Sequence, residues 1–271
     1  MMSIQGFSHG NRGVGIRNHQ LILPSVVCST HVARRIALTV DGVTFAHQHG
    51  CGIIGEDVAG IDNFFIDLAD HPNVNSVLIV GLGCETIQGQ ELAAKLLARN
   101  ESTKYQILQE SGGVEGTVAG GVQSAQELSA QFGPAHSEVP TLSVGIDIAR
   151  DITFTDELVK VLQESGFETV ISNSDSSSAQ SFSHLAREKC HLIISFPDFL
   201  QPASGFPLIP VINVAGQSPL HQAIRADFDS DEESLLASVV DLIRSVASGT
   251  QTVAEKNKSG EIRAPRSVRS V

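Results

Sequence analysis

The sequence predicts an α/β protein with mostly parallel sheets and helices on both faces, of the Rossmann or flavodoxin-like kind, in two lobes. Three observations predict it. Short apolar runs alternate with amphipathic stretches along the chain, the pattern of successive βαβ units. The strand candidates are continuous apolar runs, which suits sheets covered on both faces. The chain has 271 residues, 41% of them hydrophobic; at about 150 residues per domain that builds one large domain or two small ones.

The elements follow in order. LILPSVVC (21–28) is a buried-strand candidate, HVARRIALTV (31–40) a helix and VTFAHQ (43–48) a second strand. DNFFIDLADH (62–71) carries Phe64, Phe65 and Leu68 at helical spacing. SVLIVGLG (76–83) is apolar, β-branched and ended by glycines, the clearest strand of the chain. GQELAAKLLARN (89–100) is made of good helix formers. Then come a strand at 105–109, a helix at 114–131, a strand at 141–147, a helix at 154–165, a strand at 168–172 and a helix at 178–189. Strands at 191–197 and 210–216 and a helix at 231–247 complete the pattern. The break FGPAHSEVP (132–140) divides a lobe over 1–135 from a second over 136–250. Residues 251–271 are polar and locally basic and read as a loose tail.

Charge and composition exclude several classes. Acids outnumber bases 30 to 18, giving a net charge of −12, whereas a nucleic-acid binder needs a basic face. There is no Trp and one Tyr, so a base-stacking platform is excluded as well. No apolar run reaches the roughly 20 residues of a membrane span, and the first residues lack the pattern of a signal peptide. A cytoplasmic location is expected. Four cysteines are too few for a disulfide scaffold, so reduced thiols are expected.

Ligands of open parallel sheets bind at the carboxyl ends of the strands, and the unusual polar residues fall there. Cys28 closes the first strand; His47, His49 and Cys51 (HQHGC) follow the second; Cys84 and Glu85 (GLGCE) close the third. Gln109, Gly112 and Gly113 (QESGG) follow the fourth, and Asp147 ends the fifth. Imidazole and thiolate are ligands for zinc or iron. Two His at i and i+2 point the same way only on an extended chain. The plain alternative is a loop whose histidines bond the backbone and whose cysteine packs as a small hydrophobe. VLIVGLGCE also has the strand-then-glycine start of a dinucleotide fingerprint, but lacks G-x-G-x-x-G and is followed by Gln109 rather than an acid for a ribose. QESGG opens a helix whose free amides could hold a carboxylate, or is ordinary turn punctuation. Arg12 and Arg17 lie in HGNRGVGIRNH before the first strand; arginine forks recognise carboxylates, and surface loops carry arginines too. Residues 36–94 contain no Lys or Arg, where about four would be expected at the chain average. A stretch without competing cations suits a divalent metal; chance or a buried subunit interface produces the same pattern.

Together GNRGVGIRNH, LPSVVCS, HQHGCG, HPNVNSVLIVGLGCE and QESGG resemble the UxaA-type family of sugar-acid dehydratases, which includes altronate and galactarate dehydratases and the related sulfolactate sulfo-lyase. The similarity covers about residues 6–131 and returns at 205–262 in FPLIPVINV, DFDSDEE and VASGTQTVAEK. The resemblance implies a hydro-lyase acting on a small carboxylate such as altronate or galactarate. It implies a divalent metal, Fe2+ or Mn2+, with no NAD. It also implies His47, His49 and Glu85 as catalytic residues and His49, Cys51 and Cys84 around the metal. Arg12, Arg17, Asn18, Gln109, Gly112 and Gly113 would hold the substrate. A small SAF-type subunit and self-association of the chain are the expected partners, with no nucleic acid and no membrane. The sequence departs from the family where VGIDIARD replaces a VGLECGGSD-like stretch, and the second lobe is short. A catalytically degenerate binder of a carboxylate, or a regulator of a partner, is the alternative, and a nucleotide-binding oxidoreductase the next.

Overall fold

The computed structural model describes residues 3–173 and 178–265. They fall into two compact α/β units. Residues 8–13, 18–135 and 262–265 form one, called here the N-unit, and residues 3–7, 14–17 and 136–261 (174–177 aside) form the C-unit.

The chain opens with two short strands, β1 (Gln5–Ser8) and β2 (Val14–Gly15). The N-unit then runs β3 (His19–Pro24), α1 (Thr30–Val40), α2 (Glu56–Ala69), β4 (Val74–Gly81), α3 (Gly89–Leu97), β5 (Thr103–Ile107) and α4 (Gly113–Gln131). Its three strands are parallel in the order β3-β4-β5, with Leu21 beside Val77 and Ile79 beside Tyr105. All eight residues of β4 are buried, as a central strand with a continuous apolar sequence requires. Ile22, Leu78 and Val80 of the sheet pack with Val32 and Ile36 of α1 and Ala125 of α4. Gly121 explains the glycine pair inside α4: a Cβ there would lie 2.4 Å from Ile36 Cδ1. The helix accepts the weaker propensity of glycine to approach α1 closely.

The C-unit contains β6 (His136–Glu138), β7 (Ser143–Ile148), α5 (Thr155–Glu164), β8 (Glu168–Asn173), α6 (Ser178–Arg187), β9 (Leu192–Phe196) and β10 (Val211–Ala215). It ends with α7 (Pro219–Ala223), β11 (Ser230–Asp231), α8 (Glu232–Ala247) and α9 (Val253–Lys256). Five parallel strands run β11-β10-β9-β7-β8, and β6 pairs antiparallel with β1. Val144, Ile146 and Val214 pack with Leu158 and Leu162 of α5 and with Val239 and Ile243 of α8. On the other face, a Cβ at Gly145 would meet Leu185 of α6 at 2.9 Å. The α/β class with parallel sheets is thus realised in both units. Among the described residues no helix is long and apolar enough to cross a membrane.

Three local expectations change. The first strand starts at His19 and ends at Pro24, because residues 27–29 turn into α1. The strand expected over 43–48 is not formed; only Val43 joins the sheet, bridging Leu21 in parallel. Phe45, His47 and His49 do alternate inward with exposed or half-buried neighbours, so the period of two is real. The ladder is missing because donors go to side chains instead: His47 N–H to Thr30 Oγ1 at 3.2 Å, and His49 N–H to His47 Nδ1 at 3.0 Å. Of the tail expected over 251–271, residues 251–265 are held to the fold and 266–271 lie outside the described residues. Thr252 caps α9 through a reciprocal capping box with Glu255, and Ile262 and Ala264 are buried.

Candidate active site

Four segments meet at the carboxyl end of the N-unit sheet. The loop after β3 is tied to HQHGC by Val27 N–H donating to His49 O at 2.9 Å. HQHGC is tied to the loop after β4 by Thr86, whose N–H and Oγ1 both donate to Cys51 O, at 3.1 and 2.9 Å. That loop is tied to QESGG by Leu108 N–H donating to Gly81 O at 3.0 Å and Gln109 N–H to Leu82 O at 3.1 Å. Gly83 has a positive φ of 118°, and a Cβ there would stand 2.7 Å from Gln109 Oε1. Its glycine lets the two loops touch. His47, His49, Cys51, Cys84, Glu85, Gln109, Gly112 and Gly113 are therefore brought to one end of one sheet, together with Cys28.

Glu85 is buried with both oxygens engaged. Leu82 N–H donates to Oε1 at 3.0 Å, Gly83 N–H to Oε2 at 2.6 Å and Ser25 Oγ to Oε1 at 2.8 Å. Burial pushes its pKa up, but hydrogen bonds from its own amide, Gly83, Ser25 and Leu82 outweigh this and hold it below the usual carboxylate value. A low-pKa, fully bonded carboxylate is an anchor for the GLG turn rather than a proton acceptor. The same carboxylate takes the two turn amides that a dinucleotide phosphate would need.

The histidine pair divides its roles by tautomer. His47 is buried, and its Nδ1 accepts the His49 amide at 3.0 Å. Burial and the neighbouring His49 push its pKa down to about 4, so the ring is neutral and carries its proton on Nε2. Among the described residues that buried Nε2 has no hydrogen-bond partner. His49 Nε2 lies 3.2 Å from Ala264 O. A carbonyl only accepts, so Nε2 donates there and the basic lone pair of His49 is on Nδ1. The two rings stand edge to face, centroids 5.6 Å apart.

Cys28, Cys51 and Cys84 are exposed, whereas Cys190 of the C-unit is buried with its thiol pushed up to about 11 by desolvation. Among the described residues no group of three His, Cys, Asp or Glu side chains is arranged to hold a metal ion. His49, Cys51 and Cys84 share a neighbourhood but do not fit as a three-donor set.

The arginines lie elsewhere. Arg12 is 4% exposed at the amino end of the N-unit sheet. Its Nε donates to Ala69 O at 2.5 Å, and its Nη1 to Asn75 O at 3.1 Å and Ser102 Oγ at 2.5 Å. Asn18 meets His9 Nε2 at 2.8 Å, and His9 Nδ1 donates to Pro72 O, again at the amino end. A strand as long as β4 separates this end from the strand-end cluster, roughly 23 Å at ~3.3 Å per residue. Arg17 belongs to the C-unit, where it forks onto Glu255 at 2.7 and 2.9 Å and donates to Val246 O and Thr250 O. Both expected substrate arginines donate to carbonyls at or just past helix carboxyl ends, which need donors. A cavity of about 570 Å³ opens at the amino end, lined by His9, Asn11, Asn75, Arg99, Asn100 and Gln131; it is not part of the cluster. Asp147 lies in the C-unit, fully buried with Ser195 Oγ donating to Oδ2 at 2.7 Å.

Sequence reasoning did not find Ser25, Thr30, Thr86 or Gln48 as supports of the site. Their signal was weak, since each is a common polar residue. Only the position of Ser25 and Thr86 at strand ends could have raised them.

The fold is that of an α/β protein whose unusual polar residues gather at the carboxyl ends of parallel strands, where ligands of open sheets bind. Residues 6–133 match the family model described as D-galactarate dehydratase/Altronate hydrolase, second domain. The chain is 36% identical over 96 residues to the altronate dehydratase of Escherichia coli (strain K12), covering 31% of this chain and 19% of that protein. It is 28% identical over 159 residues to the altronate dehydratase of Bacillus subtilis (strain 168), covering 54% of this chain and 31% of that protein. The chain thus spans under a third of the length of the curated relatives it matches.

Proposed function

We propose that the strand-end cluster is the acid–base centre of a sugar-acid dehydratase subunit acting on an acid such as altronate or galactarate. The observation that carries the reading is the convergence of HQHGC, GLGCE and QESGG on one sheet end within a dehydratase-family domain. The substrate carboxylate is taken by first-turn amides of α4 beyond Gly113, whose own N–H donates to Leu108 O. His49 Nδ1 takes the proton alpha to that carboxylate, a step worth about 10²–10⁴-fold for a positioned base. The C–H electron pair becomes the new C=C bond as the beta C–O bond breaks, and the departing hydroxide regains the proton from His49 as water. His47 Nε2–H donates to the carboxylate oxygen on which charge grows, in the manner of an oxyanion hole. No step runs through the divalent metal, Fe2+ or Mn2+, that the resemblance implies, because the donors present do not form a three-donor set. A separate SAF-type small subunit and self-association of the chain belong to the same proposal.

The test is a lyase assay of the purified full chain against a panel of aldonates, aldarates and sulfolactate, with and without an SAF-type partner, Fe2+ or Mn2+, with metal analysis of the fresh protein. Formation of a deoxy-keto acid, lost in His49→Ala at unchanged melting temperature, is the expected result. No turnover under any combination rejects it. One observation favours a second reading, a carboxylate binder without catalysis. Of the two acids of VGIDIARD, Asp147 is fully buried and only Asp151 is exposed, and the cysteine and the glycine pair of the family stretch are absent. That reading expects thermal stabilisation by a sugar acid without turnover.

A further inference from the structure

We propose that residues 262–264 form a positioning strap for His49, with Gln48 as its clamp. The inference rests on the reading of His49 as the base. The strap is extended: Ile262 and Ala264 are buried and Arg263 between them is exposed. Three hydrogen bonds join it to HQHGC. Gln48 Nε2 donates to Ile262 O at 3.2 Å, Ala264 N–H donates to Gln48 Oε1 at 3.2 Å, and His49 Nε2–H donates to Ala264 O at 3.2 Å. Gln48 therefore grips the strap at a carbonyl and at an amide two residues apart, the spacing its primary amide suits.

The strap is needed because residues 44–54 form no helix or strand. Their shape comes from isolated contacts. Thr30, Val27 and Thr86 fix the backbone at His47, His49 and Cys51. The strap bond instead reaches the His49 ring itself. It fixes both the ring plane and the tautomer, keeping the proton on Nε2 and the lone pair on Nδ1. Orienting a catalytic imidazole through its second nitrogen is how such rings are commonly set. Residues 215 positions apart in sequence are thereby made one working unit. Gln48 is a positioning residue and touches no reacting atom.

The test uses the full chain and two variants, Gln48→Ala and Ala264→Pro, the second removing the N–H that Gln48 accepts. Gln48 is exposed, so its truncation leaves the core intact, and circular dichroism checks both variants. Nitrogen NMR of the imidazoles is read first. The wild-type His49 is expected to show a slowly exchanging Nε2–H. Both variants are expected to lose that signal to exchange with water, with the two ring nitrogens moving toward averaged shifts. In the dehydratase assay kcat is expected to fall about tenfold with KM within about twofold, as for a misoriented base. An unchanged His49 Nε2–H signal in both variants overturns the strap. A wild-type chain without turnover rejects the proposed function instead, while the imidazole spectrum still decides the strap.

Discussion

Arg12 separates a substrate-binding residue from a structural one, and replacing it with Met decides which it is. The guanidinium donates to Ala69 O, Asn75 O and Ser102 Oγ, and Ala69 ends α2. Met keeps the apolar stem and removes the head. Three bonds from a charged donor, at about 1.5–3 kcal/mol each, make a gross loss of roughly 6 kcal/mol. Burial opposes this. It pushes the Arg12 pKa from 12.5 down to about 10, against a smaller opposite pull from Asp70. At 1.36 kcal/mol per pKa unit, removing the buried charge returns about 3 kcal/mol. The net destabilisation is about 3 kcal/mol, or on the order of 10 °C in melting temperature for a chain of this size. Urea unfolding followed by circular dichroism measures it. The reasoning is refuted if Arg12→Met keeps the wild-type midpoint while losing its affinity for sugar acids.

Two further substitutions test the same logic. Asp147 has its pKa raised by desolvation, opposed only by the hydroxyls of Ser181 and Ser195. Its folded pKa lies above the unfolded one, so its contribution is complete below the ordinary carboxylate range and is lost as pH rises through the raised value. Thermal melts from acidic to neutral pH are expected to show a fall in wild-type stability that Asp147→Asn flattens; parallel curves for the two proteins would falsify the assignment. Glu85→Gln must turn its NH2 toward either the Gly83 amide or the Leu82 amide, both of which now donate to the carboxylate, and is expected to destabilise by about 2 kcal/mol. Lost turnover at an unchanged melting temperature would instead make Glu85 a chemical residue.

Much of the fold was legible because its signals are local. VLIVG is a continuous apolar run that reads as a buried strand, and GQELAAKLL has few alternatives to a helix. The strand at 43–48 was misread for a physical reason. Alternating burial reports an extended chain, whereas a strand also needs a partner with free carbonyls and amides. Here the donors went to Thr30 and His47. The same extended chain did what the sequence required of it and turned His47 and His49 inward together. The residues of the cluster were legible because glycine, histidine and cysteine at strand ends are unusual. The sequence places Arg12 and Arg17 at the substrate because it does not say whether a fork finds a ligand or a helix end. The strap was illegible, since nothing in IRA (262–264) announces a partner 215 positions earlier.

The cation-free stretch 36–94 shows how one sequence signal divides between two physical explanations. Eight acids without a Lys or Arg read as a place for a divalent ion, yet the fold gives seven of them other work. Glu56 and Asp57 occupy the first turn of α2, and Glu91 the first turn of α3, where the helix dipole favours negative charge. Asp62 pairs with Lys95 at 2.7 Å and Asp70 with Arg99 at 2.8 Å. Asp41 adopts the left-handed conformation that closes α1, and Glu85 is held by amides. The missing cations are therefore supplied from just beyond the stretch, by α3 and the turn after it. Helix polarity accounts for the three acids at helix starts, and ion pairs or turn geometry for Asp41, Asp62 and Asp70. Charge therefore has local explanations here, so a metal has to be argued from converging donors rather than from charge.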